Sequence, residues 1–387
     1  MKTANEKMIL WGTPHSLYTG KVRSYLIKKG LPFRELLLAN PRFMAQVMPT
    51  IRLMVAPVVE LSDGTMIQDS TDILDAMEAR YPDNAMVPTT PVQRCIALLI
   101  DAYGTEGMLA AAMHYRWSYR AEQEHFLCAE FGRAVHSGSD RQTRLAAGAK
   151  LMSYFSGFLP GLGVTPETAP AIEASYEALL DALDIHFQHH PYLLGGRPSI
   201  ADFGMMAPMF AHLGRDPVPS SLMKNRAPNV FRWTERMNLA NIDDGEFPDC
   251  EPNYLPDDAI PETLEPVLAL IFSDWGPQWL ADAELFNRWI AENPNLPTGH
   301  VVGIEGERKV HSTLGMVSAP MRGRVVPRAS APHGLWLLEK SLACARSIQG
   351  ASRQHLADLI GRNGGAQVMS MRLTRGMHRA DNVLVLD

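Results

Sequence analysis

Three short segments near the start of the chain carry groups suited to one kind of chemistry. Ser16 follows the apolar run Met8-Ile9-Leu10-Trp11 and the turn Gly12-Thr13-Pro14, and it opens a helical pattern. A hydroxyl there can donate to a bound sulfur. The free N–H groups and dipole of the helix favour an anion, so a thiol beside Ser16 ionises more readily. The same serine also suits a plain N-cap that needs no ligand. Ala56-Pro57 opens a strand expected to be central. Proline has no N–H for a ladder, so it belongs at the first residue. A cis bond at that point exposes the backbone of Ala56 for pairing with a peptide-like ligand, whereas a trans proline merely starts the strand. Asp69-Ser70 opens the next helix. Backbone N–H groups and the Ser70 hydroxyl can hold a carboxylate, and Asp69 can hold an ammonium. An N-cap without a partner uses the same pair.

The elements that must position these groups follow from periodicity. Val22, Tyr25 and Leu26 share one face of the first helix, and Gly30 is a natural stop. Pro32–Leu38 reads as a second strand, parallel to the first across the helical crossover. A short helix is expected near 41–48. Pro57–Leu61 and Thr65–Ile67 are strand-like and joined by Ser62-Asp63-Gly64, an Asp-Gly hairpin signal. The next helix buries Ile73, Leu74 and Met77. The order β-α-β-(α)-β-β-α is that of a thioredoxin-like α/β domain, and in such a sheet a proline at position 57 is expected to be cis. Residues 82–91 read as a linker, and from about 92 to 240 the pattern is helical almost throughout. Residues 243–262, acidic and with four prolines, read as a second linker or a wrapping arm. Beyond them, 263–294 is amphipathic and broken at Gly276-Pro277. Residues 300–312 alternate like a hairpin turning at Glu305-Gly306-Glu307, 334–347 and 352–362 read as helices, and NVLVLD ends the chain as a strand. The expected organisation is a thioredoxin-like domain over 1–83, an all-α domain over 92–245 and an α+β extension over 246–387.

Taken in this order and at this spacing, the three segments resemble the glutathione S-transferase family. The run Ser16-Leu17-Tyr18-Thr19 followed by Lys21-Val22-Arg23 is similar to that family's first-helix motif, with serine as in its serine-type classes. APVVEL, the Asp-Gly turn and IQDSTDILDAMEARYP resemble its proline, hairpin and Asp-Ser helix. Tyr192-Leu193-Leu194-Gly195-Gly196 with Arg197 to Phe203 resembles its helical-domain entry, where Ser199 and Asp202 have capping-box spacing. The resemblance covers about residues 8–240. It implies glutathione as co-substrate, lying across Ala56-Pro57 with its γ-glutamyl end at Asp69-Ser70, and Ser16 as the thiol-activating donor. It also implies an apolar electrophile between the two domains, with His15, Tyr18, Tyr103, Met108 and Met113 as candidates to face it. A homodimer is expected, and a non-catalytic binding or scaffold protein is the alternative reading. The stretch from Pro49 to Pro57 is longer than the family's, which leaves Gln46 and Arg52 as candidates for the glycyl end. The extension has no counterpart in the two-domain pattern. It is expected either to be a lid that adds Trp275, Trp279 and Trp336 to the substrate region or, preferably, an arm on the outer face of the helical domain.

Bulk properties narrow the remaining classes. The chain is 46% apolar and 20% charged, with a formal charge of -6. That suits a soluble globular protein and carries no basic nucleic-acid footprint. Cys95, Cys128, Cys250 and Cys344 form no CxxC pair, which fits a reducing cytoplasm and argues against a zinc site. His189-His190 are adjacent on a helix and so diverge by about 100°; no metal site is expected. No secretory leader and no membrane span are read. The 21 methionines suggest plastic packing around an apolar cavity.

Overall fold

The computed structural model describes residues 8–136, 138, 140–304 and 311–387. The N-terminal unit runs β1 (Met8–Trp11), α1 (Leu17–Lys29), β2 (Phe33–Leu36), a π-helical turn (Phe43–Val47) leading into α2 (Met48–Ile51), β3 (Val58–Glu60), β4 (Met66–Gln68) and α3 (Ser70–Arg80). Its sheet has the order β2-β1-β3-β4. β1 pairs with β2 in parallel, while β3 is antiparallel to both β1 and β4. The fold class expected from the sequence, a thioredoxin-like domain followed by a helical one, is therefore present. α1 ends where Gly30 takes φ 73°, with Lys28 and Lys29 in its last turn. The β3–β4 turn closes as its Asp-Gly signal requires: Leu61 N–H donates to Thr65 O, and Thr65 N–H donates to Asp63 Oδ1.

The helical unit comprises α4 (Pro91–Ala102), α5 (Leu109–Trp117), α6 (Arg120–Val135), α7 (Arg141–Ser156), α8 (Ala169–His189), α9 (Ile200–Ala211), α10 (Pro217–Arg226) and α11 (Pro228–Arg236). A π-helical turn, Tyr103–Gly107, joins α4 to α5. The continuous run 91–117 is long and apolar enough to cross a membrane, which the sequence reading did not register; its most apolar window is 94% buried in this fold. The crossing with α9 is close. A Cβ on Gly104 would lie 2.4 Å from the Gly204 carbonyl carbon, so only glycine fits there. Ser199 and Asp202 form the reciprocal capping box. Asp202 Oδ1 also accepts from Leu193 N–H and from Trp233 Nε1–H.

The acidic segment after α11 straps the start of α4. Asp258 accepts from Val92 N–H (2.9 Å) and Gln93 N–H (2.8 Å), which satisfies donors that a helix N-terminus leaves open. Then come α12 (Glu265–Leu270), a π-helical turn (Ile271–Trp275), α13 (Gly276–Glu292), β5 (Met316–Met321), β6 (Arg324–Ala329), α14 (Pro332–Ser347), α15 (Gly350–Arg362), α16 (Ala366–Ser370), β7 (Met377–Ala380) and β8 (Val383–Leu386). The expected break at Gly276-Pro277 is instead the first turn of α13, where proline is tolerated because its missing N–H would be unpaired anyway. The hairpin β5–β6 was not read from the sequence, because Pro320 and Pro327 lie within its strands. Both sit on an isolated two-stranded ribbon, where missing donors are tolerated. The hairpin expected over 300–312 has its turn outside the described residues; Val301 bridges Val385, and Ile304 N–H donates to Thr313 O.

Candidate functional site

Sheet register gathers the three sequence-predicted segments. Trp11 is opposite both Leu36 and Val58, and Val58 is opposite Gln68. One end of the sheet thus holds the close of β1, the start of β3 and the close of β4. From that row the chain leads to Ser16 at the N-terminus of α1, back to Pro57, and on to Asp69-Ser70 at the N-terminus of α3. The Ala56-Pro57 bond is cis. Ser16 Oγ accepts from Thr19 N–H (3.3 Å), and the side chain remains partly exposed. Asp69 caps α3 through Thr71 N–H (2.8 Å), with φ 83°.

Asp69 is not free for an outside ammonium. His333, in the first turn of α14, donates from Nε2 to Asp69 Oδ2 (3.0 Å). Arg379 on β7 lies 3.8 Å from the same oxygen; its Nε and Nη2 donate to Asp72 (2.7 Å) and Gln68 (2.6 Å). The other ring nitrogen of His333 lies 3.2 Å from Glu106 Oε1, with off-line hydrogen-bond geometry. Glu106 accepts from the Tyr18 hydroxyl (3.0 Å), whose ring stacks on His311. Trp336 covers both His333 and Arg379. The electrostatics follow from this enclosure. Burial alone would strip the proton from His333, but Asp69 and Glu106 outweigh it and raise its pKa to about 10. Burial opposes charge on Asp69, yet His333 and Arg379 hold it well below the usual carboxylate range. Glu106 is lowered too, burial being outweighed by His333. Burial and Glu106 together keep the Tyr18 phenol protonated.

The remaining candidates scatter. Tyr103 and Met108 line a cavity of about 30 Å³ together with Ile172, Tyr176, Trp275 and Met321. Tyr18 is committed to Glu106. His15 is buried against Phe131 while its carbonyl accepts from Arg116, and burial, aided by Arg116, lowers its pKa to about 3. Met113 sits in a separate cluster with Trp117, Phe131 and Met152, where its sulfur accepts from Trp117 Nε1–H. Gln46 accepts from Arg42, and Arg52 pairs with Asp381 of the extension. The cavity at Tyr103 and Met108 lies between the helical unit and the extension, with no lining residue from the N-terminal unit, so it is not the expected cleft between the first two domains. Trp275 borders it and Trp336 reaches the Asp69 cluster, so the extension lies on both domains rather than on the outer helical face alone. His186, one turn before His190, donates from Nε2 to the Tyr192 carbonyl and bonds the Thr263 hydroxyl through Nδ1, and among the described residues no His, Cys, Asp or Glu group is arranged for a metal.

Sequence reasoning missed Glu106, His333 and Arg379. Their only local signals are an acid inside an apolar helix and a histidine following the proline that starts α14. It also missed Lys21, whose buried ammonium bridges the domains to Asp101 (2.6 Å) and Thr105 (3.0 Å).

Comparison with known proteins agrees with the fold. Residues 10–85 match the glutathione S-transferase N-terminal domain, and residues 166–236 match the glutathione S-transferase C-terminal domain. Similar solved structures include a glutathione S-transferase from Rhodospirillum rubrum F11 (14% identity, 66% of this chain, 96% of that one, TM-score 0.36). Another is a glutathione S-transferase from Methylobacterium radiotolerans JCM 2831 in complex with glutathione sulfonate (19%, 66% and 100%, 0.37). A third is glutathione transferase GSTFuA3 from Phanerochaete chrysosporium (15%, 62% and 99%, 0.38). No curated protein matches the chain. Both domain matches fall in their proper order on the units described above, so residues 10–85 and 166–236 are glutathione S-transferase N- and C-terminal domains.

Proposed function

We propose that this protein binds glutathione at the shared end of its sheet and transfers the thiolate to an apolar electrophile once the extension releases Asp69. The observation that carries the reading is the register row Leu36–Trp11–Val58–Gln68, with Ser16, Pro57 and Asp69-Ser70 at its edge. The tripeptide backbone pairs with Ala56, its γ-glutamyl end lies at Asp69-Ser70, and its sulfur lies at Ser16. Ser16 donates a hydrogen bond to the sulfur and is never itself deprotonated. Lowering the thiol pKa by ~2 units, about 2.7 kcal/mol, makes thiolate the main species near neutral pH. The thiolate then forms a C–S bond while the leaving group departs with its electron pair, or adds across an activated double bond. Tyr103 and Met108 border the electrophile's side. The protein acts as a cytoplasmic homodimer, and its four free cysteines support a reducing compartment.

The test is spectroscopic. Titration of the bound thiolate absorbance should show a higher thiol pKa in Ser16→Ala than in wild type, and an unchanged value removes Ser16 from the mechanism. A second reading, a non-catalytic binding or scaffold protein, is favoured by the engagement of Asp69 with His333 and Arg379. Immobilised glutathione and thermal shift separate the two. Glutathione at 100 times its Kd should stabilise by about 2.7 kcal/mol. If millimolar glutathione neither binds nor stabilises wild type or a His333→Gln/Arg379→Gln variant, the scaffold reading takes over.

A further inference from the structure

α4 and α14 run side by side, and each presents a cysteine to the other. Cys95 on α4 is fully buried, with its sulfur 3.5 Å from Ser341 Oγ and 3.6 Å from the Ser341 carbonyl. Ser341 lies one turn before Cys344 on α14. The Cys344 sulfur in turn lies 3.9 Å from the carbonyl of Pro91, one turn before Cys95 on α4. These crossed contacts set the two thiols at one level of the α4–α14 interface, close enough to influence each other's ionisation. The neighbouring Cys95 is the largest influence holding the Cys344 thiol down at about 7; burial opposes it, Arg94 assists and Asp258 opposes. The neighbouring Cys344, with burial, pushes Cys95 well up. The pair is thus asymmetric in the way thiol–disulfide exchange requires, with a partly exposed nucleophile beside a shielded thiol.

We infer that Cys95 and Cys344 are a redox pair whose disulfide staples the C-terminal extension to the helical domain, with a small disulfide such as oxidised glutathione as the oxidant. The Cys344 thiolate attacks one sulfur of that disulfide, forming a mixed disulfide and releasing one glutathione thiolate. Cys95 then loses its proton and attacks the Cys344 sulfur. The internal bond forms as the second glutathione thiolate leaves, so two protein thiols are oxidised and one disulfide becomes two thiols. A reducing dithiol reverses both steps. α14 carries His333 near its start, so the staple fixes the element that engages Asp69.

The experiment treats the full-length protein with oxidised glutathione, counts released thiol, and maps peptides by mass spectrometry without reduction. Wild type should release two glutathione equivalents per chain and yield a Cys95–Cys344 cross-linked peptide that dithiothreitol removes. Cys95→Ser should release one equivalent and retain glutathione on Cys344. Cys344→Ser should react about tenfold more slowly or less, since the remaining thiols are not activated. Cys128 and Cys250, both shifted upward chiefly by burial, serve as internal controls. A wild type that stops at the mixed disulfide, that reacts first at Cys250, or that stays folded and unmodified overturns the proposal. None of these outcomes depends on whether reduced glutathione binds at Ser16.

Discussion

Two helix N-termini face the same end of one sheet, and they have different surroundings. At α1, Ser16 holds Thr19 N–H and stays partly open to solvent. At α3, Asp69 holds Thr71 N–H in the same manner but is enclosed, with a histidine and an arginine from more than 260 residues downstream on its carboxylate. The comparison teaches that a capping motif fixes where a charge sits but not what neutralises it. An anionic cap at a helix start attracts any available cation. Here the chain supplies its own, at the position proposed above for a glutathione ammonium. Under that proposal the thiol half of the site is open, and the amino-acid half is under competition.

The strongest way to break this comparison is to remove the competing cations. In His333→Gln/Arg379→Gln, Asp69 stays buried without a cation, keeping only Thr71 N–H, and breaking a buried pair of this kind costs roughly 3–5 kcal/mol. Thermal melting should fall accordingly, while glutathione, which carries its own ammonium, should restore part of the loss. A variant that melts like wild type means that the ion pairs do not hold the extension.

A smaller effect should come from pH. His333 has its pKa raised from 6.5 to about 10. Its contribution to docking is therefore complete below about 6.5 and fades as pH climbs toward 10. Asp69 is shifted downward, so its share is present above its ordinary 3.8 and fades as pH falls below that value. Quenching of Trp336 fluorescence by the protonated His333 packed on it should fall between pH 7 and 10 in wild type. That fall should vanish in His333→Gln. A flat wild-type profile contradicts the raised pKa.

The smallest effect sharpens the other side. Ser16→Ala removes a cap at a partly exposed helix start and should cost about 1 kcal/mol in denaturant unfolding, without changing Trp336 quenching. A change in quenching means that the two helix starts are coupled.

What the sequence made legible follows from range. The hairpin at Ser62-Asp63-Gly64, the stop at Gly30 and the box at Ser199 and Asp202 are each set by neighbours a few residues away, and each formed as read. Ser16, Pro57 and Asp69 were legible as a set because the βαβ and hairpin connections carry them to one sheet end. His333 and Arg379 were not, since nothing local marks a residue whose partner is 264 positions upstream. Met113 was misassigned because α5 is buried all round, so helical periodicity does not say which of its faces meets the cavity and which meets Trp117 and Phe131. The β5–β6 ribbon was hidden by its prolines, although Arg322 and Gly323 supply the two positive-φ residues of a tight hairpin turn.

The Asp258 strap on α4 has a consequence for synthesis. The first amides of α4 find their acceptor in a residue 166 positions later. At roughly 5–20 residues per second, a ribosome takes on the order of ten seconds or more to reach it. Throughout that interval the longest apolar helical run of the protein is already translated, with its start unstrapped and the face destined for α14 uncovered. The nascent chain therefore passes through a window in which this apolar run waits for the later segment that straps and covers it.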